Sequence, residues 1–211
     1  MLSSAAEQGV QVQILTPHFY RWREDIPDFL SRRDAGEQKL RLSLTPNLPQ
    51  IFVGAEVAFF HRMSESDLRP LCIGDSRLLL VEMPFESWNR ETEDEIAHLS
   101  LDKGYQVILA HIERFLGYKG NAEIIESLAR LPIVFQINAE ALLSWSSRRR
   151  MISFIRSGKP VILATDAHNL TNRRPNLLAG RSAVEKKLGS AALRDMDDLG
   201  EELLKRNLAL L

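Results

Sequence analysis

Six short apolar runs in this chain each finish at, or beside, a side chain able to bind a metal ion. They close on Thr16-Pro17-His18, Gly54-Ala55-Glu56, Val81-Glu82-Met83-Pro84, Ala110-His111-Ile112-Glu113-Arg114, Ile137-Asn138 and Thr165-Asp166-Ala167-His168-Asn169. The runs lie at 12–15, 51–60, 78–82, 106–111, 133–138 and 161–165. They are mostly apolar on successive positions rather than alternating, the pattern of strands buried on both faces of a parallel sheet. Parallel strands bring their C-terminal ends to one face, and that face is where ligands bind. Isolated His, Asp and Glu residues mean little; the same residue types recurring at strand ends predict a shared pocket.

Amphipathic stretches separate the runs. The spacing predicts helices over 92–103, 121–131, 139–157, 177–188 and 193–210, with a further mixed helix over 25–44. Asn121 stands where it could cap the second of these. Regular alternation of strand and helix predicts an α/β fold with a covered parallel sheet. Residues 2–9 read as the last turns of a helix running into the first strand, so a β-α-β unit would need one more strand ahead of it. The basic run Arg148-Arg149-Arg150 reads as the wet face of a helix.

Charge and length narrow the classes. A formal net charge of −1 over 211 residues provides no basic field for nucleic acid or an acidic membrane. No window reaches the apolar length of a membrane span, and the first residues lack the pattern of a signal peptide. The single cysteine, Cys72, has no partner for an internal disulfide, which fits a reducing compartment and a cytoplasmic location. With no His or Arg within two residues, it reads as a structural thiol.

Asp166-Ala167-His168 is the sharpest local signal. In an extended segment, positions i and i+2 point the same way, so both side chains could reach one ion or two adjacent ions. Oxygen beside imidazole suits Zn, Mn or Fe better than Ca. The competing reading is a turn, with Asp166 capping and His168 solvated. His111 reads either as a ligand or as a hydrogen-bonded strand end. Arg114 suits a pair of phosphate oxygens or a salt bridge with Glu113. Glu82 and Glu56 close or interrupt apolar runs, where a carboxylate is costly unless it is paired or bound to a metal. His18 follows Pro17, which stiffens the turn. His61 and His98 fall off the pattern and read as structural or exposed. Gly-x-Ser-x-Gly, phosphate-binding Gly-rich and Cys-x-x-Cys motifs are all absent.

Taken in order, several stretches resemble the bacterial capsule and exopolysaccharide tyrosine phosphatases of the PHP (polymerase and histidinol phosphatase) superfamily. They are Ala5-Ala6-Glu7-Gln8-Gly9-Val10, Leu15-Thr16-Pro17-His18, Gly54-Ala55-Glu56, Val81-Glu82-Met83-Pro84, Ile108-Leu109-Ala110-His111-Ile112-Glu113-Arg114-Phe115, Gln136-Ile137-Asn138-Ala139 and Thr165-Asp166-Ala167-His168-Asn169. The resemblance spans nearly the whole chain. It implies one PHP-like domain over residues 1–211, built as a distorted seven-stranded (β/α) barrel. It also implies a cluster of divalent ions at the strand ends, often manganese, with Zn or Fe as alternatives. Matching positions imply His18, Glu56, Glu82, His111, Asp166 and His168 as ligands. They also imply Arg114 and Arg173 as the arginines that steady the phosphoryl oxygens, with Ile112 standing where the family has Pro. The implied function is metal-dependent hydrolysis of phosphotyrosine in a protein, such as the kinase of polysaccharide export. The alternatives are a histidinol-phosphatase-like enzyme for small esters and a degenerate, non-catalytic barrel. Family members open with a strand carrying His-x-His, and no such segment stands here. The expectation is therefore an N-terminally incomplete barrel without its first strand, holding at least one ion weakly.

Overall fold

The structure, a computed structural model, describes residues 1–208. Its strands are all parallel and follow six paths. The first path is split into β1 (Val12–Leu15) and β2 (His18–Phe19), and the second into β3 (Gln50–Val53) and β4 (Glu56–Ala58). The others are β5 (Leu78–Glu82), β6 (Gln106–Leu109), β7 (Val134–Asn138) and β8 (Val161–Ala164). β1 pairs with β3, while β2, β4, β5, β6, β7 and β8 line up in that order. Around them lie α1 (Leu2–Glu7), α2 (Ile26–Arg41), α3 (Arg90–Leu101), α4 (Asn121–Leu128), α5 (Ala139–Leu143), α6 (Trp145–Arg156), α7 (Leu177–Leu188) and α8 (Ser190–Asn207).

The run at 51–60 does not form one strand. A Cβ on Gly54 would lie 2.9 Å from Cγ1 of Ile73 and 3.0 Å from its Cα, so the backbone presses onto that residue and bends there. Pairing survives the bend. The Gly54 N–H donates to Leu15 O at 2.9 Å, and the Glu56 N–H donates to Pro17 O at 3.1 Å. The two kinks leave His18 and Glu56 directly paired in register.

The helix expected over 139–157 is two helices. Ser144 takes an extended conformation (φ −76°, ψ 136°) and breaks it. The carbonyls freed at the end of α5 are satisfied by side chains: Ser147 Oγ donates to Ala141 O, and Arg148 donates to the Leu142 and Leu143 carbonyls. Part of the basic run therefore does local work, while Arg149 and Arg150 are exposed. Asn121 is no cap either. It lies inside α4, fully buried, accepting from the Trp88 N–H at 2.7 Å and donating to the Glu86 and Phe115 carbonyls. Its buried amide ties the β5–α3 loop to the loop after β6. The true caps are Asp25 on α2 and Asn89 on α3, each accepting a backbone N–H at 3.0 Å.

The period of two along each strand sorts residues onto two faces. Leu79, Val81, Val107, Leu109, Phe135 and Ile137 enter the large core beneath the helices. Leu78, Leu80, Ile108 and Val134 enter a smaller cluster on the opposite, inner face, partly covered by Leu199, Leu203 and Leu204 of α8. On the inner face lies a cleft of about 890 Å³, lined by β1 and by the edge strand β8, with Leu80, Ile108 and Gln136 also along it. Among the described residues, no helix is long and apolar enough to cross a membrane.

Candidate metal centre

Glu82 continues the inner-face series Leu78, Leu80, Glu82, so alternation alone aims it to the inner face, beyond the apolar cluster. His18 and Glu56 follow the two kinks and meet Glu82 there. One donor atom from each of His18, Glu56 and Glu82 lies within 4.8 Å of the other two. Glu56 and Glu82 are buried, with 5% and 7% of their surfaces exposed. Two carboxylates this close in a buried site repel unless a proton or a cation lies between them.

His111 supplies that positive charge. Alternation along β6 would send it to the outer face with Leu109, but its backbone takes a left-handed conformation (φ +32°). This conformation is costly for a residue with a Cβ and persists only where the surroundings enforce it. The ring turns inward, is wholly buried, and places Nε2 2.9 Å from Glu56 Oε1 and 3.2 Å from Glu82 Oε1. Burial disfavours the imidazolium, yet hydrogen bonds to Glu56 and Glu82 outweigh it and raise the pKa to about 9. Nδ1 of His111 and Nδ1 of His18 are buried without a hydrogen-bond partner. The set of two carboxylates and two imidazoles, with nitrogens left over, fits a divalent ion of the Zn, Mn or Fe type.

The second cluster forms around Asp166, the other expected donor with a left-handed backbone (φ +47°). That conformation overturns the extended geometry expected for residues 166–168. Asp166 and His168 bond each other instead, with His168 Nε2 2.9 Å from Asp166 Oδ1. Asp166 Oδ2 accepts from Arg114 at 2.5 Å and also from Arg173. Burial raises the Asp166 carboxyl, but Arg114, the His168 hydrogen bond and Arg173 together hold it below the usual carboxylate range. The His18 and His168 rings lie 5.7 Å apart, linking the two clusters. All eight expected site residues thus gather at the C-terminal end of the sheet.

Some neighbours lay outside the expected set. Asn138 donates to Asp166 at 3.4 Å and accepts from Gln136 at 3.0 Å. Glu113, whose carboxyl is raised by burial, accepts from the Asn138 N–H. Asn138 closes the fifth apolar run, so its signal was present; Glu113 had only its adjacency to His111. His61 and His98 lie exposed. Cys72 is buried, and burial pushes its thiol up to about 12.

The sequence profile described as "Capsular polysaccharide synthesis, CpsB/CapC" matches residues 1–199. The chain belongs to the CpsB/CapC family. It is 27% identical to tyrosine-protein phosphatase YwqE of Bacillus subtilis (strain 168) over 215 residues, covering 98% of this chain and 83% of that protein. It is 22% identical to tyrosine-protein phosphatase CpsB of Streptococcus pneumoniae over 214 residues, covering 93% and 84%. Among solved structures, those of YwqE and CpsB, described as metal-dependent tyrosine phosphatases, share its fold. The match has a TM-score of 0.80 at 22% identity and covers 100% of this chain and 87% of that one. The PHP-type α/β architecture expected for a CpsB/CapC protein is thereby established.

Proposed function

We propose that this chain is a metal-dependent phosphoester hydrolase acting on phosphotyrosine in a protein of capsule or exopolysaccharide synthesis. Its CpsB/CapC membership and its relatives' activity support the substrate class. The kinase of polysaccharide export is the proposed partner and the cytoplasm the proposed location. The observation that carries the chemistry is His111 Nε2 facing two buried carboxylates at 2.9 and 3.2 Å beside His18. The atoms that share a proton here are those that would share a cation.

His18, Glu56, Glu82 and His111 would hold one ion, with Asp166 and His168 the donors for another; manganese is the proposed metal. Bound divalent ions supply Lewis-acid charge and acidify water near neutral pH. The chain's own residues do the rest. Arg114 and Arg173 present planar N–H forks toward the position of Asp166 and bind the phosphoryl oxygens, steadying the charge that grows in transfer. Asp166 holds both guanidiniums in place before substrate arrives.

The test is metal analysis of the purified protein with hydrolysis assays on a phosphotyrosine peptide and on small alkyl phosphates, with and without added Mn. Bound metal and Mn-stimulated turnover of the peptide are expected. No bound metal and no Mn-stimulated turnover would point to a non-catalytic barrel. A preference for the small esters would defeat the tyrosine phosphatase reading.

A further inference from the structure

The segment leaving β2 carries three rings that lead from the donor cluster to solvent. His18 and Tyr20 are stacked, with centroids 5.3 Å apart and planes at 16°. Tyr20 and Trp22 follow at 4.8 Å and 43°. The Arg23 guanidinium carbon lies 4.5 Å from the Tyr20 ring centroid. Between these rings, Phe19 points the opposite way, fully buried against Phe29. The core therefore takes residue 19 and has no use for residues 20 and 22. Trp22 is 65% exposed, a large apolar surface left in water beside a polar site. Tyr20 stacks on His18, one of the clustered donors, so the inner end of the ladder abuts the site.

We infer that Tyr20 and Trp22, flanked by Arg23, form the surface that receives the phosphotyrosine segment of the substrate. Tyr20, its faces already covered by His18 and Arg23, meets the phenyl ring of the ester with its edge, while Trp22 and Arg23 contact the neighbouring peptide. The inference rests on the proposed phosphatase reading and assigns its specificity. In an aryl phosphate a single oxygen joins the ring to phosphorus, so a ring whose phosphoryl group is held beside His18 lies within reach of the Tyr20 edge. Offset or tilted ring pairs are favoured by the aromatic quadrupole, and an alkyl ester offers no such face. Arg23, paired through its guanidinium to the Tyr20 ring, adds a cation that favours acidic residues next to the phosphotyrosine.

The experiment uses the Mn-loaded protein, a phosphotyrosine peptide and glycerol phosphate. For Trp22→Ala, KM toward the peptide is expected to rise about ten-fold with kcat within about two-fold, the scale of one lost aromatic pair. Trp22→Phe restores most of that loss, and KM for glycerol phosphate is unmoved. A second readout is intrinsic fluorescence. Free phosphotyrosine quenches the native protein more than inorganic phosphate does, and Trp22→Phe removes the difference. An unchanged peptide KM in Trp22→Ala, or an equal rise for both esters, overturns the inference and leaves the phosphatase reading standing. If the native protein hydrolyses no ester, the phosphatase reading fails. The fluorescence difference then decides the ladder alone, and its absence overturns the inference.

Discussion

The two halves of the site are built differently. The half made of His18, Glu56, Glu82 and His111 stands on strand ends, and its carboxylates are buried and compensated by one imidazole. The half around Asp166 follows β8 in an irregular segment, and its single carboxylate is shared by Arg114, Arg173 and His168. The first half has negative charge to spare and demands a cation. The second is already compensated by two guanidiniums, so an ion there would compete with Arg114 and Arg173 for Asp166. On the proposed reading, the contrast gives metal retention mainly to the strand half and phosphoryl binding mainly to the loop half.

The largest expected effect is on the strand half. His111→Ala removes the one group that compensates Glu56 and Glu82 and supplies a donor. Metal content should fall below one ion per chain, and turnover should drop at least about a hundred-fold, the upper end of what disturbing a metal's surroundings costs. Metal analysis on folded protein, verified by circular dichroism, checks it; unchanged metal content would show that the ligand assignment is wrong. Asp166→Asn should do less. It loosens Arg114 and Arg173 and weakens the second ion, lowering kcat/KM about ten-fold while the strand-half ion stays bound. If it strips metal as fully as His111→Ala, the two halves act as one and the contrast fails.

Legibility in the sequence divides along the same line. Glu82 was readable because a period of two carries Leu78 and Leu80 directly to it. His111 was readable by type and place but not by direction, since alternation points it outward and only a left-handed backbone brings it in. Asp166 and His168 were expected as donors, yet their mutual bond and the two arginines depend on a loop conformation that no spacing rule encodes. The fold behaved likewise. All six strand paths were visible as apolar runs, but the bend at Gly54 depends on the approach of Ile73, nineteen positions on. The break at Ser144 depends on Ser147 and Arg148 taking the α5 carbonyls, and the inward role of Asn121 on three backbone partners from two loops. Local pattern predicts where an element lies; contacts between distant segments decide where it bends and what its polar residues hold.

A pH titration sharpens the account of the strand half without mutation. In metal-free protein the His111 pKa is raised from 6.5 to about 9. A raised pKa stabilises the fold fully below 6.5, and that contribution fades as pH climbs through about 9. The unfolding free energy of the metal-free protein, from denaturant titration, should therefore decline across this window, by about a few kcal/mol at most. With saturating Mn the decline should flatten or reverse, because cation and proton compete for the same donors and rising pH favours the cation. An identical decline with and without metal would place the ion elsewhere.

The smallest effect belongs to Asn138, which touches the loop half through Asp166. Its side chain receives a hydrogen bond from Gln136 at 3.0 Å and gives a long one, 3.4 Å, to Asp166. A bond of that length orients Asp166 weakly, because Arg114 and Arg173 already hold the same oxygen. Asn138→Ala should therefore lower kcat/KM by no more than about three-fold. Gln136, however, loses its buried acceptor, and an unsatisfied buried amide costs about 1–3 kcal/mol. The variant should be visibly less stable in urea yet keep the native metal content. Were it to lose metal while holding its stability, Asn138 would be holding the donors rather than the fold, and the boundary between the two halves would have to be drawn on the other side of β7.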